Sequence, residues 1–417
     1  MLIVLEINNA RRNSLTEKTG ENSGRASRNF VLLLVIIFMV TFASSMTSAS
    51  PIYFLVKDLA YTPEATSAAY AALLSIGSVA YITANFVGGF LSDRIGRKNV
   101  IILGTLILAP SLLVYYVVPS IVWVWGVYFV HTFSIQMFQP SFQALVADSS
   151  KTKSRGKAFG NYNLFWIGST VPAPLIGGFL VDAVGLRFPY IIASLMSVGG
   201  LFTSFWLVEA SRQIKSMPNL QAGGEVEETV MPFAKVLLIF GAMGILNGLL
   251  NGMLSPLLRF YLDFKLHTTP TELGLVFSLG SSLVTTAVQI PGGILTDKVG
   301  RKPLMLSSML GVPFLVAMAF TGSILQFILA SAGLVALGNL GTPAYQAWMM
   351  DLVPSAKRAR TTGIVNTLTG IGLFIGPLLS NWIFESQGDI VLPFLLTTLP
   401  WILQTPLILI LKETKSS

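Results

Sequence analysis

Gly89-Phe90-Leu91-Ser92-Asp93-Arg94-Ile95-Gly96-Arg97-Lys98 returns 204 residues later as Gly293-Ile294-Leu295-Thr296-Asp297-Lys298-Val299-Gly300-Arg301-Lys302. Each copy joins two long apolar stretches. A short charged loop repeated at half the chain length, between hydrophobic spans, marks a duplicated membrane protein. The register extends well past the loop. Pro51 pairs with Pro256, Pro140 with Pro343, Gln143 with Gln346, Asp148 with Asp351, Arg155 with Arg358 and Pro174 with Pro377. Two halves in one register are expected to run parallel, related by an axis along the membrane normal.

Only 11% of the 417 residues are charged and 53% are hydrophobic, with a mean hydropathy of +0.70. A soluble domain carries about 25% charged residues. Apolar stretches near the length of about 20 residues that a bilayer requires recur twelve times. They fall at about 30–55, 66–90, 100–118, 121–147, 157–182, 187–209, 233–262, 271–295, 303–321, 324–352, 360–384 and 391–411. An all-α membrane protein of two pseudo-symmetric six-helix bundles is therefore expected. Residues 30–209 form the first bundle and 233–411 the second. Residues 1–29 read as a cytoplasmic tail, 210–232 as a cytoplasmic linker and 412–417 as a C-terminal tail.

The net charge of +8 does not point to nucleic acid, because its distribution is that of orientation signals. With the N-terminal tail inside, every Lys and Arg except Lys57, Arg187, Arg259 and Lys265 falls on the cytoplasmic side. That bias sets topology and places both termini in the cytoplasm of a multi-pass cell-membrane protein. Cysteine is absent, which excludes disulfides and thiol chemistry. With two His and acidic residues mainly in loops, no catalytic or metal site is expected and no cofactor.

These features together are similar to the major facilitator superfamily of secondary transporters. The loop at 89–98 resembles that family's G-x-L-x-D-R-x-G-R-K signature at every fixed position, and the second copy has Lys298 in place of Arg94. The resemblance implies a rocker-switch transporter, monomeric in the bilayer, and a loop that latches the halves in the outward-facing state. The gating set is Gly89, Asp93, Arg94, Gly96, Arg97, Lys98 and Asp148, with Gly293, Asp297, Lys298, Gly300, Arg301, Lys302 and Asp351 as its mirror. Gly89 and Gly293 are expected to permit close helix approach, and Gly96 and Gly300 a tight turn. Asp93 stands four residues before Arg97, within reach across one helical turn. A relay Asp93–Arg97–Asp148 is expected, mirrored by Asp297–Arg301–Asp351.

Ala173-Pro174-Leu175-Ile176-Gly177-Gly178 resembles the core of a motif of proton-driven exporters, with Ala173 replacing a Gly. Gly376-Pro377-Leu378-Leu379-Ser380 is its counterpart in span 11. In both, Pro is expected to break the helix and small residues to pack at the interface between halves. Glu209 and Glu413 follow spans 6 and 12 in sequences faintly similar to those of sugar porters.

By the same resemblance spans 1, 4, 7 and 10 line the cavity. Their polar residues are the substrate candidates: Gln136, Gln139 and Gln143 on one face of span 4, Asn247, Asn251 and Arg259 in span 7, and Asn339 and Gln346 in span 10. Arg259 either attracts an anionic group or snorkels to the outer interface. A mildly polar, aromatic-rich cavity suits a small amphipathic or hydrophobic solute. Proton coupling needs a titratable group in the pathway. His131 in span 4 is either that group or a hydrogen-bonded core residue, and Asp58 and Glu64 near the outer span ends are the others. The expectation is a proton-coupled exporter, with a sugar or organic-anion porter or facilitator as the alternative.

Overall fold

In hydrocarbon every backbone polar group must be satisfied within the chain, so spanning segments close into helices. The computed structural model describes residues 28–48, 51, 54–55, 62–149, 155–208, 231–353 and 358–413. Their regular elements are helices, in twelve successive spans, α1 to α12. In the first half these are α1 (Arg28–Met46), α2 (Pro63–Ile95), α3 (Arg97–Val114), α4 (Ile121–Asp148), α5 (Arg155–Ser169 with Pro172–Ala183) and α6 (Phe188–Phe205). In the second, α7 is Phe233–Phe260 with a π turn at Tyr261–Lys265, and α8 runs through Pro270–Leu275, Val276–Leu283 and Val284–Val299. Then come α9 (Arg301–Ser307, Ser308–Gly311, Val312–Met318), α10 (Ile324–Leu340, Thr342–Leu352), α11 (Arg358–Gln387) and α12 (Val391–Leu396, Thr398–Ile410). The expected linker at 210–232 lies outside the described residues except for Met231 and Pro232.

Eleven of these spans are long and apolar enough to cross a membrane. The exception, α9, passes through a 3₁₀ turn at Ser308–Gly311. Pro313 follows that turn, lacks an N–H and crowds the carbonyl four residues earlier. Its counterpart Pro110 sits inside a continuous α3, so the duplication is not an exact copy. The outer surface presents large apolar side chains such as Leu195, Leu238, Ile290 and Leu325, as a lipid-facing wall requires.

The repeated loop builds the same device twice. Gly96 and Gly300 adopt φ of 89° and 98°, where a side chain would be strained, and turn the chain between α2 and α3 and between α8 and α9. The lysine that follows reaches the end of the last span in its half. Lys98 Nζ donates to Phe205 O at 2.8 Å; Lys302 Nζ donates to Leu409 O at 2.7 Å and Leu411 O at 3.1 Å. A helix leaves its last carbonyls without partners, and a cation there satisfies them and complements the helix dipole. Glu413 adds the converse cap, accepting from the backbone N–H of Arg301 at 2.8 Å and Lys302 at 2.9 Å. That capping role was not expected from the sequence.

Close helix approach falls one residue from where the sequence placed it. A Cβ on Gly89 or Gly293 would meet nothing within 4 Å. It is Gly88 that packs against the backbone of Met137 in α4, and a Cβ on Gly292 that would stand 3.0 Å from Leu340 O in α10. Successive helix positions are about 100° apart, so only one glycine of each pair faces its neighbour.

The halves meet where α5 packs on α8, α2 on α11, and α1 and α2 on α7, from the face opposite the signature loops to mid-span, where a Cβ on Gly370 would strike Ile82. Between α5 and α8 the contact is reciprocal: a Cβ on Gly178 would collide with Pro270 O, and one on Gly274 with Pro174 O. Asp182 seals that pair, accepting from the Thr271 N–H at 2.9 Å and hydroxyl at 2.5 Å. Between α2 and α11, Ser75 Oγ donates to Phe374 O at 2.8 Å. Between α1 and α7, Arg259 donates to Ser48 O at 3.3 Å. The expectation for the proline motifs thus holds for α5, which breaks before Pro172 and packs across the interface. It fails for α11, which runs unbroken through Pro377 and sets Gly376 against Gly252 of α7 in its own half.

Gly88→Ala is predicted to destabilise the fold by about 1–3 kcal/mol through overpacking against α4, whereas Gly89→Ala leaves the melting temperature unchanged. Thermal unfolding of both detergent-purified variants checks this. Equal loss in both would place the tight contact elsewhere.

Candidate functional site

Three cavities carry most of the predicted polar residues. The largest, about 820 Å³, lies between the halves on the signature-loop side. Tyr81, Asn85 and Phe86 of α2 face it, with Gln136, Gln139 and Gln143 of α4, Trp166 of α5 and the stretch from Thr362 to Leu368 of α11. The three glutamines share one helix face, as their spacing implied. Gln139 Oε1 accepts from the Tyr162 hydroxyl at 3.2 Å, which fixes the amide at the wall.

A second cavity, about 310 Å³, lies deeper toward the opposite face. Gln136 borders both this cavity and the large chamber. Its walls are Ser44, Thr47 and Ser48 of α1, Tyr70 of α2, Tyr128, His131 and Thr132 of α4, with Arg259 and Ser255 from α7. His131 is buried, 3.3 Å from Ser44 Oγ and edge-on to the rings of Tyr115 and Tyr128. It therefore has a hydrogen-bond partner and also faces a cavity.

The Arg259 guanidinium points between the halves rather than out to the membrane boundary. It donates to Ser255 Oγ and to Ser48 O, both at 3.3 Å, and lies 4.9 Å from the Phe277 ring centroid and 5.5 Å from that of Tyr70. Snorkelling to the outer interface is not what this side chain does.

The third cavity, also about 310 Å³, belongs to the second half. Asn247, Asn251 and Asn339 line it, with Tyr345, Trp401 and Gln404. Asn251 Nδ2 donates to Asn247 Oδ1 at 2.7 Å, and Asn339 Nδ2 to Thr285 Oγ1 at 3.2 Å. Gln346 borders none of these three cavities and is exposed. The walls therefore extend beyond spans 1, 4, 7 and 10: α2, α5 and α11 enclose the chamber, and α12 contributes Trp401 and Gln404. The signal for Gln404 was its amide in an otherwise apolar span. The tyrosines gave none, because an aromatic ring in a membrane helix reads equally well as lipid-facing or core.

Of the gating set, Arg301 Nε stands 2.6 Å from Asp351 Oδ2, with side chains 10% and 35% exposed. This pair joins α9 to α10 and is one leg of the expected relay. The side chains of Asp93, Asp148 and Asp297 lie outside the described residues, as does that of Glu64 and all of Asp58. Arg94 stacks over the Phe90 ring at 4.1 Å, and Lys298 is exposed. Arg97 is half-buried.

The Major Facilitator Superfamily model matches residues 32–238 and 240–416. Multidrug resistance protein 2 of Bacillus subtilis (strain 168) is 24% identical over 347 residues, covering 80% of this chain and 84% of the relative. The proton-coupled antiporter flippase LtaA of Staphylococcus aureus (strain N315) is 23% identical over 371 residues, covering 87% and 89%. Among solved structures, the inward open conformation of the xylose transporter XylE from E. coli superposes with a TM-score of 0.74 at 12% identity, over 93% of this chain and 97% of that one. A variant of the nucleoside transporter NupG gives 0.70 at 14% identity, over 92% and 99%.

Removing one member of a buried ion pair leaves a charge without compensation, at about 3–5 kcal/mol, while replacing both by apolar groups is far milder. Asp351 is one-third exposed, so solvent screening puts this pair at or below the low end of that range. Asp351→Leu is predicted to lower the melting temperature, and the double variant Arg301→Met/Asp351→Leu to recover much of the loss. Additive losses in the double-mutant cycle would show that the two do not interact.

Proposed function

This chain belongs to the major facilitator superfamily and is a multi-pass membrane transporter; we propose that it exports a small amphipathic solute in exchange for protons by rocker-switch alternating access. The carrying observation is an asymmetry between the two ends of the interface. Toward one face the halves are locked by glycine-to-carbonyl contacts and the Asp182–Thr271 bonds. Toward the signature-loop face a chamber of about 820 Å³ separates α2 and α4 from α11. A transporter that rocks two rigid bundles must have a state closed at one end and widened at the other.

The basic loops assign the signature-loop face to the cytoplasm. On that orientation this is the inward-facing state, ready to load a solute from inside. The chamber wall combines amides with Tyr81, Phe86 and Trp166, surfaces that bury the apolar part of a solute and orient its polar part. The multidrug resistance protein and the proton-coupled antiporter among the relatives support export and proton exchange. His131 is the coupling group of this reading, since a protonatable imidazole in the pathway is what antiport requires. The relay Asp93–Arg97–Asp148 and its mirror latch the opposite, outward-facing state when the cytoplasmic ends come together.

In proteoliposomes given a panel of lipophilic cations, sugars and organic anions, an opposing proton gradient is predicted to accelerate outward movement of at least one amphipathic member. His131→Asn should abolish that acceleration while leaving downhill exchange. Asp93→Asn should slow transport and raise maleimide labelling of a single cysteine placed at Gln143 in this Cys-free chain, by shifting the population inward. Movement indifferent to the gradient would make the protein a facilitator instead.

A further inference from the structure

We propose that the cavity between α1, α2, α4 and α7 binds an anionic group of the transported solute, with Arg259 as its counter-charge. The proposal rests on the transporter reading and adds the charge of the substrate to it.

A guanidinium carries five N–H donors. Among the described residues those of Arg259 make two bonds, both at 3.3 Å, one of them to a serine of its own helix. Among the described residues its buried Nε has no hydrogen-bond partner and no carboxylate lies within 4 Å of the group. Two aromatic faces at 4.9 and 5.5 Å offset the charge only in part, at about 0.5–2 kcal/mol. A cation inside a membrane domain is costly when it is not paired. Arg301, the more deeply buried of the two, has a carboxylate beside it, Asp351 at 2.6 Å. Arg259 instead lines a cavity of about 310 Å³.

The rest of that wall suits an anion. Ser44 and Tyr128 bring hydroxyls that can donate to oxygen. None of its described lining residues is acidic. A carboxylate or phosphate would meet the planar fork in two-point geometry, which arginine provides and lysine does not. The placement also has a mechanical consequence. Arg259 belongs to the second half and the hydroxyls to the first, so a bound anion bridges the halves at the end that is already closed. Ligand that contacts both halves favours the state in which both are within reach.

The test uses the full chain in nanodiscs of neutral phosphatidylcholine, with calorimetry of phenyl phosphate, benzoate and benzyltrimethylammonium. Phenyl phosphate is expected to bind and the cation not. Arg259→Gln should weaken phenyl phosphate by about tenfold or more, and Arg259→Lys should restore part of the affinity, at melting temperatures that certify both folds. Unchanged affinity in Arg259→Gln, or equal binding of the cation by the wild-type chain, would overturn the proposal. So would loss of phenyl phosphate binding when phosphatidylglycerol is added to the disc, which would give the site to a lipid headgroup. Transport separates the two readings. Arg259-dependent binding with no solute moved would sustain the site and sink the transport reading; cation efflux untouched by Arg259→Gln would do the reverse.

Discussion

A polar group in hydrocarbon has no water to fall back on, and the placement of charge in this chain follows from that cost. Lys98 and Lys302 sit where α6 and α12 expose carbonyls. Glu413 sits where α9 exposes N–H groups. Arg301 sits on Asp351. Each charge is matched to a backbone end or to an opposite charge, so the signature loop works as a set of caps tying neighbouring spans into one rigid bundle. Arg259 meets a carbonyl just past the end of α1 and a serine of its own helix, has no carboxylate within 4 Å among the described residues, and lines a cavity.

Rigid bundles are what alternating access requires, because a rocking motion must move a body without dissolving it. The contacts between halves are of a different kind from those within them. Within the second half, Gly248, Gly252, Gly372 and Gly376 bring α7 and α11 backbone to backbone along most of their length. Between halves, backbone meets backbone this closely at glycine where the Pro270–Gly274 and Pro174–Gly178 stretches touch. A short patch of van der Waals contact and a few hydrogen bonds can part and re-form, whereas a continuous glycine seam cannot without unfolding the bundle.

Duplication supplied two copies of the scaffold, and the copies differ where they line the cavities. The turn glycines and capping lysines keep one register at both loops. The inner walls do not. The first half offers His131, tyrosines and hydroxyls; the second offers Asn247, Asn251 and Asn339. A site built from unlike surfaces can hold the unlike ends of an amphipathic molecule. The 3₁₀ turn of α9 against the continuous α3 shows the same freedom in the backbone.

Twelve spans, the halving of the chain, the turn glycines and the glutamine face of α4 were all legible in the sequence. Each depends on quantities local to one segment: hydropathy over about twenty residues, the freedom of φ at glycine, and the helical period. What the sequence misplaced was always a relation between segments. It put helix contact on Gly89 rather than Gly88, gave Gly376 to the interface between halves, and counted Gln346 into the cavity. It had no means of choosing whether Arg259 turned outward or inward. Those outcomes depend on the rotation of each helix about its axis, where one residue is about 100°. Only packing against the neighbouring helices sets that angle, so the chain alone determined the parts and the tertiary structure decided which faces meet.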